Sequence, residues 1–181
     1  PQGAQHRYHL LETLREYAWE QFSDGEEWQQ LGDRHAAYFR QLAEGAEPQL
    51  VGRGQAGWLK RLEVEHPNLR AALDHLLARG DGEGALRLAG ALMRFWEYRG
   101  HVGEGRERLR RALALRTPEG TREGSVPAAK ALTAAGWLAY RQGDYEPARR
   151  SLEEALSIFE RAEEEASFVD ALQLLAVIEG D

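Results

Sequence analysis

The sequence predicts an all-α protein built from antiparallel helical hairpins, and three observations carry that expectation. Apolar residues recur at i, i+3, i+4 and i+7 along most of the 181-residue chain, which is the signature of helices with one buried face. Turns containing glycine, at Gly100 and Gly143, punctuate these stretches at intervals suited to hairpins. Small residues stand among the large ones, as in Gly136 and Ala139 facing Ala148 and Ala155, so that two helix backbones can approach closely.

Taken in order, residues His6–Leu10 are too short a stretch to place, and a strand is one option. A helix is expected from Leu11, with Leu14, Ala18 and Phe22 on one face and Ser23-Asp24-Gly25 ending it. The next helix covers about Glu26 to Ala46, with Leu31, His35, Tyr38, Phe39 and Leu42 directed inward. Pro48, Gly52, Gly54 and Gly57 predict a loop, followed by a helix carrying Trp58, Leu59 and Leu62. Pro67 is expected to open a further helix bearing Leu69, Ala72, Leu73, Leu76 and Leu77, and Gly80–Gly84 to break the chain again.

From Ala85 the pattern becomes repetitive. Leu88, Leu92, Phe95 and Trp96 precede a turn at Gly100, and Leu109, Ala112 and Leu113 follow it. The stretch from Ala128 to Ala162 is the clearest hairpin. Leu132, Ala135, Gly136 and Ala139 mark its first helix, and Ala148, Leu152, Ala155, Ile158 and Phe159 mark its second. Asp144 is placed to cap that second helix, with Pro147 in its first turn. Gly100 and Gly143 are 43 residues apart, and the excess over a unit of about 34 residues fits a loop insertion at Arg116–Val126. A third helix follows, with Val169, Leu172 and Ala176 at the expected inward positions.

The stretch from Ala128 to Ala162 resembles a tetratricopeptide repeat, with Gly136, Ala148, Leu152 and Ala155 where that family has small, small, large and small residues. It departs at Leu132, where tryptophan is common, and at Glu160, where proline is common. The fold this implies is a right-handed superhelix of hairpins, with units at about residues 83–116, 128–162 and, in part, 166–181.

The front half widens the resemblance. The stretches RYHLLETLREYAWEQF, DRHAAYFRQLAEGAEPQL and GWLKRLEVEHPNLRAAL, in that order before the repeats, are similar to the region after the nucleotide-binding module of STAND-class signalling ATPases. These include the AfsR- and LuxR-like transcriptional regulators of bacteria. The resemblance implies three parts: residues 1–24 as the tail of a winged-helix-like segment, 25–82 as an irregular helical connector, and 83–181 as the repeats. It also implies a sensor arm that binds a protein or peptide in its concave groove and contacts a preceding nucleotide-binding domain of the same chain. A structural scaffold or self-association arm, using the open last repeat, is the alternative.

Composition bounds the chemistry. The net charge is −7, and only Lys60 and Lys130 are lysines, which argues against a broad phosphate-binding face and against direct nucleic-acid binding. The absence of cysteine excludes thiolate nucleophiles and cysteine-ligated metals, and fits a cytoplasmic home. No apolar run is long enough for a membrane span. Neither lysine sits in a G-x-x-x-x-G-K-[ST] loop, and none of the five serines has a neighbouring histidine. His66 and His75 are nine residues apart, not the i, i+4 of a helical metal pair. His35 reads as a core histidine and Arg106–Arg116 as the polar outer face of a helix. No enzyme, cofactor or metal is expected.

In tetratricopeptide superhelices the first helix of each hairpin lines the groove. Carried over residue by residue, the groove positions are Arg87, Arg94, Glu97 and Tyr98 in the first unit, and Lys130, Thr133, Trp137, Tyr140 and Arg141 in the second. The last unit contributes Asp170, Leu174 and Val177. Aromatics flanked by cations suit the grip on a peptide with an acidic group. The alternative for Trp137 and Tyr140 is that they seal adjacent hairpins.

Overall fold

The computed structural model describes residues 25–115 and 125–180, and every regular element among them is helical. The helix expected over Leu11–Phe22 and most of the inserted loop lie outside the described residues. α1 (Glu26–Ala46) leads through a 3-10 turn, Glu47–Leu50, into α2 (Gln55–Arg79). α3 (Gly82–Ala91) and α4 (Met93–Arg99) follow, then α5 (Val102–Ala114). The last three are α6 (Val126–Tyr140), α7 (Tyr145–Arg161) and α8 (Glu165–Gly180). The all-α class and the hairpin-repeat architecture are as the sequence predicts.

α6 is the wall shared by two cores. Its Ala128, Ala131, Ala134 and Leu138 pack into one core with α1–α5, where Leu62, Leu73, Leu88, Phe95, Trp96 and Leu109 are buried. Its Ala129, Leu132 and Ala139 pack into a second with Leu152, Ala155, Ile158 and Phe159 of α7 and Ala171 and Ile178 of α8. A helix buried on two faces needs small side chains to keep its neighbours close. That is why α6 is so rich in alanine.

The turns follow elementary backbone chemistry. Gly80, Gly100 and Gly143 end helices with φ of 71°, 77° and 83°, the left-handed conformation that costs a residue with a Cβ about 1 kcal/mol or more. Ser125 caps α6 by accepting from the Ala128 N–H, and the Asp81 carboxylate caps α3 by accepting from the Gly84 N–H at 2.9 Å. Asp144 occupies the N-cap position of α7 but makes no cap bond; its carboxylate turns instead to Arg106 at 2.5 Å.

The structure departs from expectation at more than the Asp144 cap: Gly57, expected in a loop, lies inside α2, and Gly82 and Gly84, expected to break the chain, lie in the first turn of α3, leaving only Gly80 and Asp81 as the break. Pro67 does not open a helix: it sits inside the 25-residue α2, which is continuous through it. The ring removes one backbone bond, from its own position to the carbonyl of Glu63. Burial of Leu62, His66, Leu69 and Leu73 on either side holds the helix together across the gap. Conversely, the stretch from Ala85 to Tyr98 is not one helix, because Leu92 breaks it into α3 and α4 at φ −89°, ψ −1°.

On two helices, side chains face a different way. Leu31 and Tyr38 are each 51% exposed, and α1 buries Ala36, Phe39, Ala43 and Ala46 instead. On α8, Val169 and Leu172 are exposed along with Ala176, while Ala171 and Ile178 are buried and Phe168 and Leu175 pack beside them. The packed face is thus rotated by one residue, about 100°.

Candidate functional site

The groove positions expected from the sequence separate into two groups. Arg94 on α4, Lys130 and Thr133 on α6, and Asp170 and Leu174 on α8 line a single pocket of about 170 Å³. Glu47, Gly90, Met93, Phe159, Ser167 and Gln173 complete its wall. Three successive hairpin units therefore supply side chains to one cavity. Helical spacing explains the convergence: Lys130 and Thr133 fall on one stripe of α6, and the stripe is set by burial of Ala128, Ala131 and Leu132 on its other sides.

The pocket is electrostatically mixed. Lys130 Nζ lies 3.9 Å from Glu47 Oε2, a loose and exposed pair. Arg94 and Asp170 have no ion-pair partner among the described residues. The Thr133 hydroxyl donates back to the Ala129 carbonyl at 3.0 Å, which holds its rotamer. The cavity is smaller than the roughly 300–1,000 Å³ of drug-sized ligand sites, so it fits one anchoring side chain or a chain terminus.

The other positions lie outside this pocket. Arg87 donates to Glu44 at 2.6 Å and lies 3.7 Å from Glu83, tying α3 to α1. Glu97, largely buried, pairs with Arg141 at 3.3 Å, clipping α4 to the end of α6. The rings of Trp137 and Tyr140 are 5.2 Å apart, and Tyr140 meets Tyr145 at 5.9 Å. Trp137 packs against the first core and Tyr140 against the second, so this aromatic chain lies across the join between hairpins. Tyr98 and Val177 are exposed.

Glu47 and Met93 were not legible as pocket residues. Glu47 comes from the 3-10 turn after α1, a segment with no repeat pattern to place it. Met93 lies next to the break at Leu92, which turns it toward the pocket.

Two further features lie away from the groove. The N-terminal half of α1 and the C-terminal half of α2 flank an open apolar pocket of about 560 Å³, lined by Trp28, Leu31, Gly32, His35, Ala71, Asp74, His75 and Ala78. Leu31 is exposed because it stands at this cavity rather than in the core. Burial holds the His35 imidazole below its ordinary pKa, against an opposing hydrogen bond with Asn68.

Between α2 and α5 runs a lattice of charges. The Glu104 carboxylate accepts from Arg70 and, at 2.9 Å, from Arg108, which also donates to Asp74 at 2.9 Å. Burial pushes Glu104 up, but the bonds from Arg70 and Arg108 and the nearby His66 outweigh it and hold the carboxyl at about 2. Arg106 donates to Gln142 besides pairing with Asp144, and Arg110 pairs with Glu107 at 2.7 Å. The arginines of this helix are thus committed to acidic partners of their own chain.

Among the described residues no helix is long and apolar enough to cross a membrane. No family model matches the chain, and no solved structure matches it. Curated relatives match in part. Proteins named as putative HTH-type transcriptional regulators from Mycobacterium bovis and from two strains of Mycobacterium tuberculosis are 37% identical over 99 residues. The match covers 55% of this chain and only 11% of each of those proteins. The chain is a partial relative of regulator-like proteins with an all-α, hairpin-repeat structure.

Proposed function

We propose that this chain is a sensor and partner-binding module of a multidomain bacterial regulator, non-catalytic in itself. The observation that carries the reading is the convergence of Arg94, Lys130, Thr133 and Asp170, from three successive units, on one pocket. The pocket takes one side chain or terminus of a peptide laid along the groove, with Arg94 free to pair with an acidic group. The tetratricopeptide-like spacing around Gly143 and the partial likeness to regulators support the same reading. A bound partner works on the rest of the regulator only through a difference in affinity between two states. A nucleotide-binding domain preceding this segment in the same chain is the natural recipient of that difference.

The test is fluorescence polarisation with an array of labelled peptides carrying acidic, basic and neutral residues, against the wild type and an Arg94→Ala, Lys130→Ala double variant. Acidic peptides should bind the wild type and lose about tenfold or more in the variant, the scale of one charged hydrogen bond. Equal binding by both proteins sinks the pocket as the working surface.

A second reading rests on a different observation. Val169, Leu172 and Val177 are each nearly half exposed on α8. Such a face suits self-association. Sedimentation that shows a concentration-dependent mass, abolished by Leu172→Glu, would favour it over peptide binding.

A further inference from the structure

We propose that Glu63, His66 and His101 form a zinc-binding site that pins α2 to the turn between α4 and α5. One ligand atom from each of the three residues can be chosen so that all lie within 4.8 Å of one another. His101 Nε2 is 3.4 Å from Glu63 Oε1, and the His66 and His101 rings are 4.3 Å apart between centroids. Zinc bonds of roughly 2.1 Å at tetrahedral angles require ligand atoms about 3.4 Å apart. The Glu63–His101 pair already stands at that separation, and the third ligand atom lies within 4.8 Å of both.

The second, independent observation is a poorly satisfied imidazole. His66 is 6% exposed, and its buried Nε2 makes no well-aligned hydrogen bond; its nearest polar neighbour is the Glu104 carboxylate. Glu104 Oε1 lies 3.3 Å away and is shared with Arg70 and Arg108, so it is a weak and contested partner for the imidazole. A buried imidazole nitrogen so poorly satisfied is costly to the fold, and a metal ion is one way to satisfy it.

Position in the sequence explains how the ligands come together. Glu63 and His66 are three residues apart on α2, hence neighbours on one helical face. His101 immediately follows Gly100, whose left-handed φ turns the chain back toward α2. Arg99 Nε sits 3.5 Å from Glu63 Oε2, the other oxygen, which leaves Oε1 for the ion. The donor set decides the class of metal. Two imidazoles and one carboxylate favour zinc and its late transition-metal neighbours over calcium or magnesium, which take oxygen ligands. Three protein ligands leave one position for water. The side chains of His101 and Glu63 are 26% and 43% exposed, so the ion has a route in from solvent.

The site lies apart from the groove, and its test does not involve peptide binding. The 181-residue chain, stripped with chelator and returned to neutral pH, is titrated with Zn²⁺ and, separately, with Co²⁺. One equivalent of zinc should bind and raise the melting temperature, since a ligand that binds only the folded state stabilises it. Bound Co²⁺ should show the intense visible bands of four-coordination, a readout that needs no variant. His101→Ala and Glu63→Gln, the second at an exposed side chain, should each weaken zinc by about a hundredfold or more, the upper limit usual for loss of a mere supporting group. His75→Ala, on the other face of α2, should bind zinc as the wild type does. Absence of binding to the wild type, six-coordinate Co²⁺ spectra with undiminished affinity in both ligand variants, or equal loss in His75→Ala would overturn the assignment.

Discussion

A methyl group placed on Gly136 would lie 2.9 Å from the Ala148 carbonyl oxygen and 2.9 Å from Leu152 Cγ. The two helices of the central hairpin therefore touch backbone to backbone, and the oxygen cannot swing away as a side chain could. Gly136→Ala gains up to about 1 kcal/mol in helix propensity. Overpacking opposes this with about 1–3 kcal/mol, and the net expectation is destabilisation. Gly45, exposed on α1, is the control, because a methyl added there would meet nothing within 4 Å. Gly45→Ala should stabilise by about 0.5–1 kcal/mol. Urea unfolding of both variants gives the two signs directly.

Trp137→Ala should cost about 3 kcal/mol, because the ring packs into the first core beside Tyr140. At about 2–4 °C per kcal/mol the melting temperature should fall by roughly 10 °C. Arg94→Ala, which has no ion-pair partner among the described residues, should stay within about 0.5 kcal/mol of wild type. A calorimetric comparison of the pair separates a sealing residue from a free one. It also shows why Arg94, and not Trp137, is the clean probe of binding.

Arg108→Ala removes one cation from two carboxylates at once, Asp74 and Glu104. Its side chain is only 13% exposed, so this is more than an ordinary surface pair. The expected loss is about 1–3 kcal/mol. Arg110→Ala removes an exposed partner of Glu107 on the same helix and should change almost nothing. Equal costs for the two in denaturant titrations would contradict this ranking of the charge lattice.

His35 makes one contribution to the pH dependence. Burial lowers its pKa in the folded state below the ordinary 6.5, so the unfolded chain binds the proton more readily. Stability from this residue is fully present above pH 6.5 and is lost as pH falls below it toward the folded value. In the presence of chelator, the drop in urea midpoint from neutral to mildly acidic pH should be smaller in His35→Gln than in the wild type. An unchanged drop would assign the effect to other groups.

The repeats are legible in the sequence because their pattern is redundant. Around Gly143, the glycine turn, the alanine spacing and the large residues Leu152 and Phe159 all point to the same hairpin. Where a single cue stands alone, it misleads. Pro67 is a common helix opener, but the packing of Leu62 and Leu69 on either side overrides it. On α8, apolar residues occur on nearly every side, so spacing alone cannot tell Val169 and Leu172 from Ala171 and Ile178; contact with α7 makes that choice. The pocket is half legible for a similar reason. Arg94, Lys130, Thr133 and Asp170 follow repeat spacing, whereas Glu47 reaches the same wall from a turn outside the repeats. Of the cluster of Glu63, His66 and His101, only the i, i+3 pair on α2 shows along the chain, because the Gly100 turn brings the third member from another helix pair. The two histidines of that helix, His66 and His75, face opposite ways and suggest no metal pair.

The chain contains one methionine, and that residue, Met93, stands in the pocket wall beside Arg94. Its terminal methyl gives a single signal, already assigned by its uniqueness, when the protein is made with carbon-13 methyl methionine. Whatever enters the cavity must pass within reach of that group. One resonance thus reports on this pocket directly, and its shift on adding any compound tests that compound without a label on the compound itself.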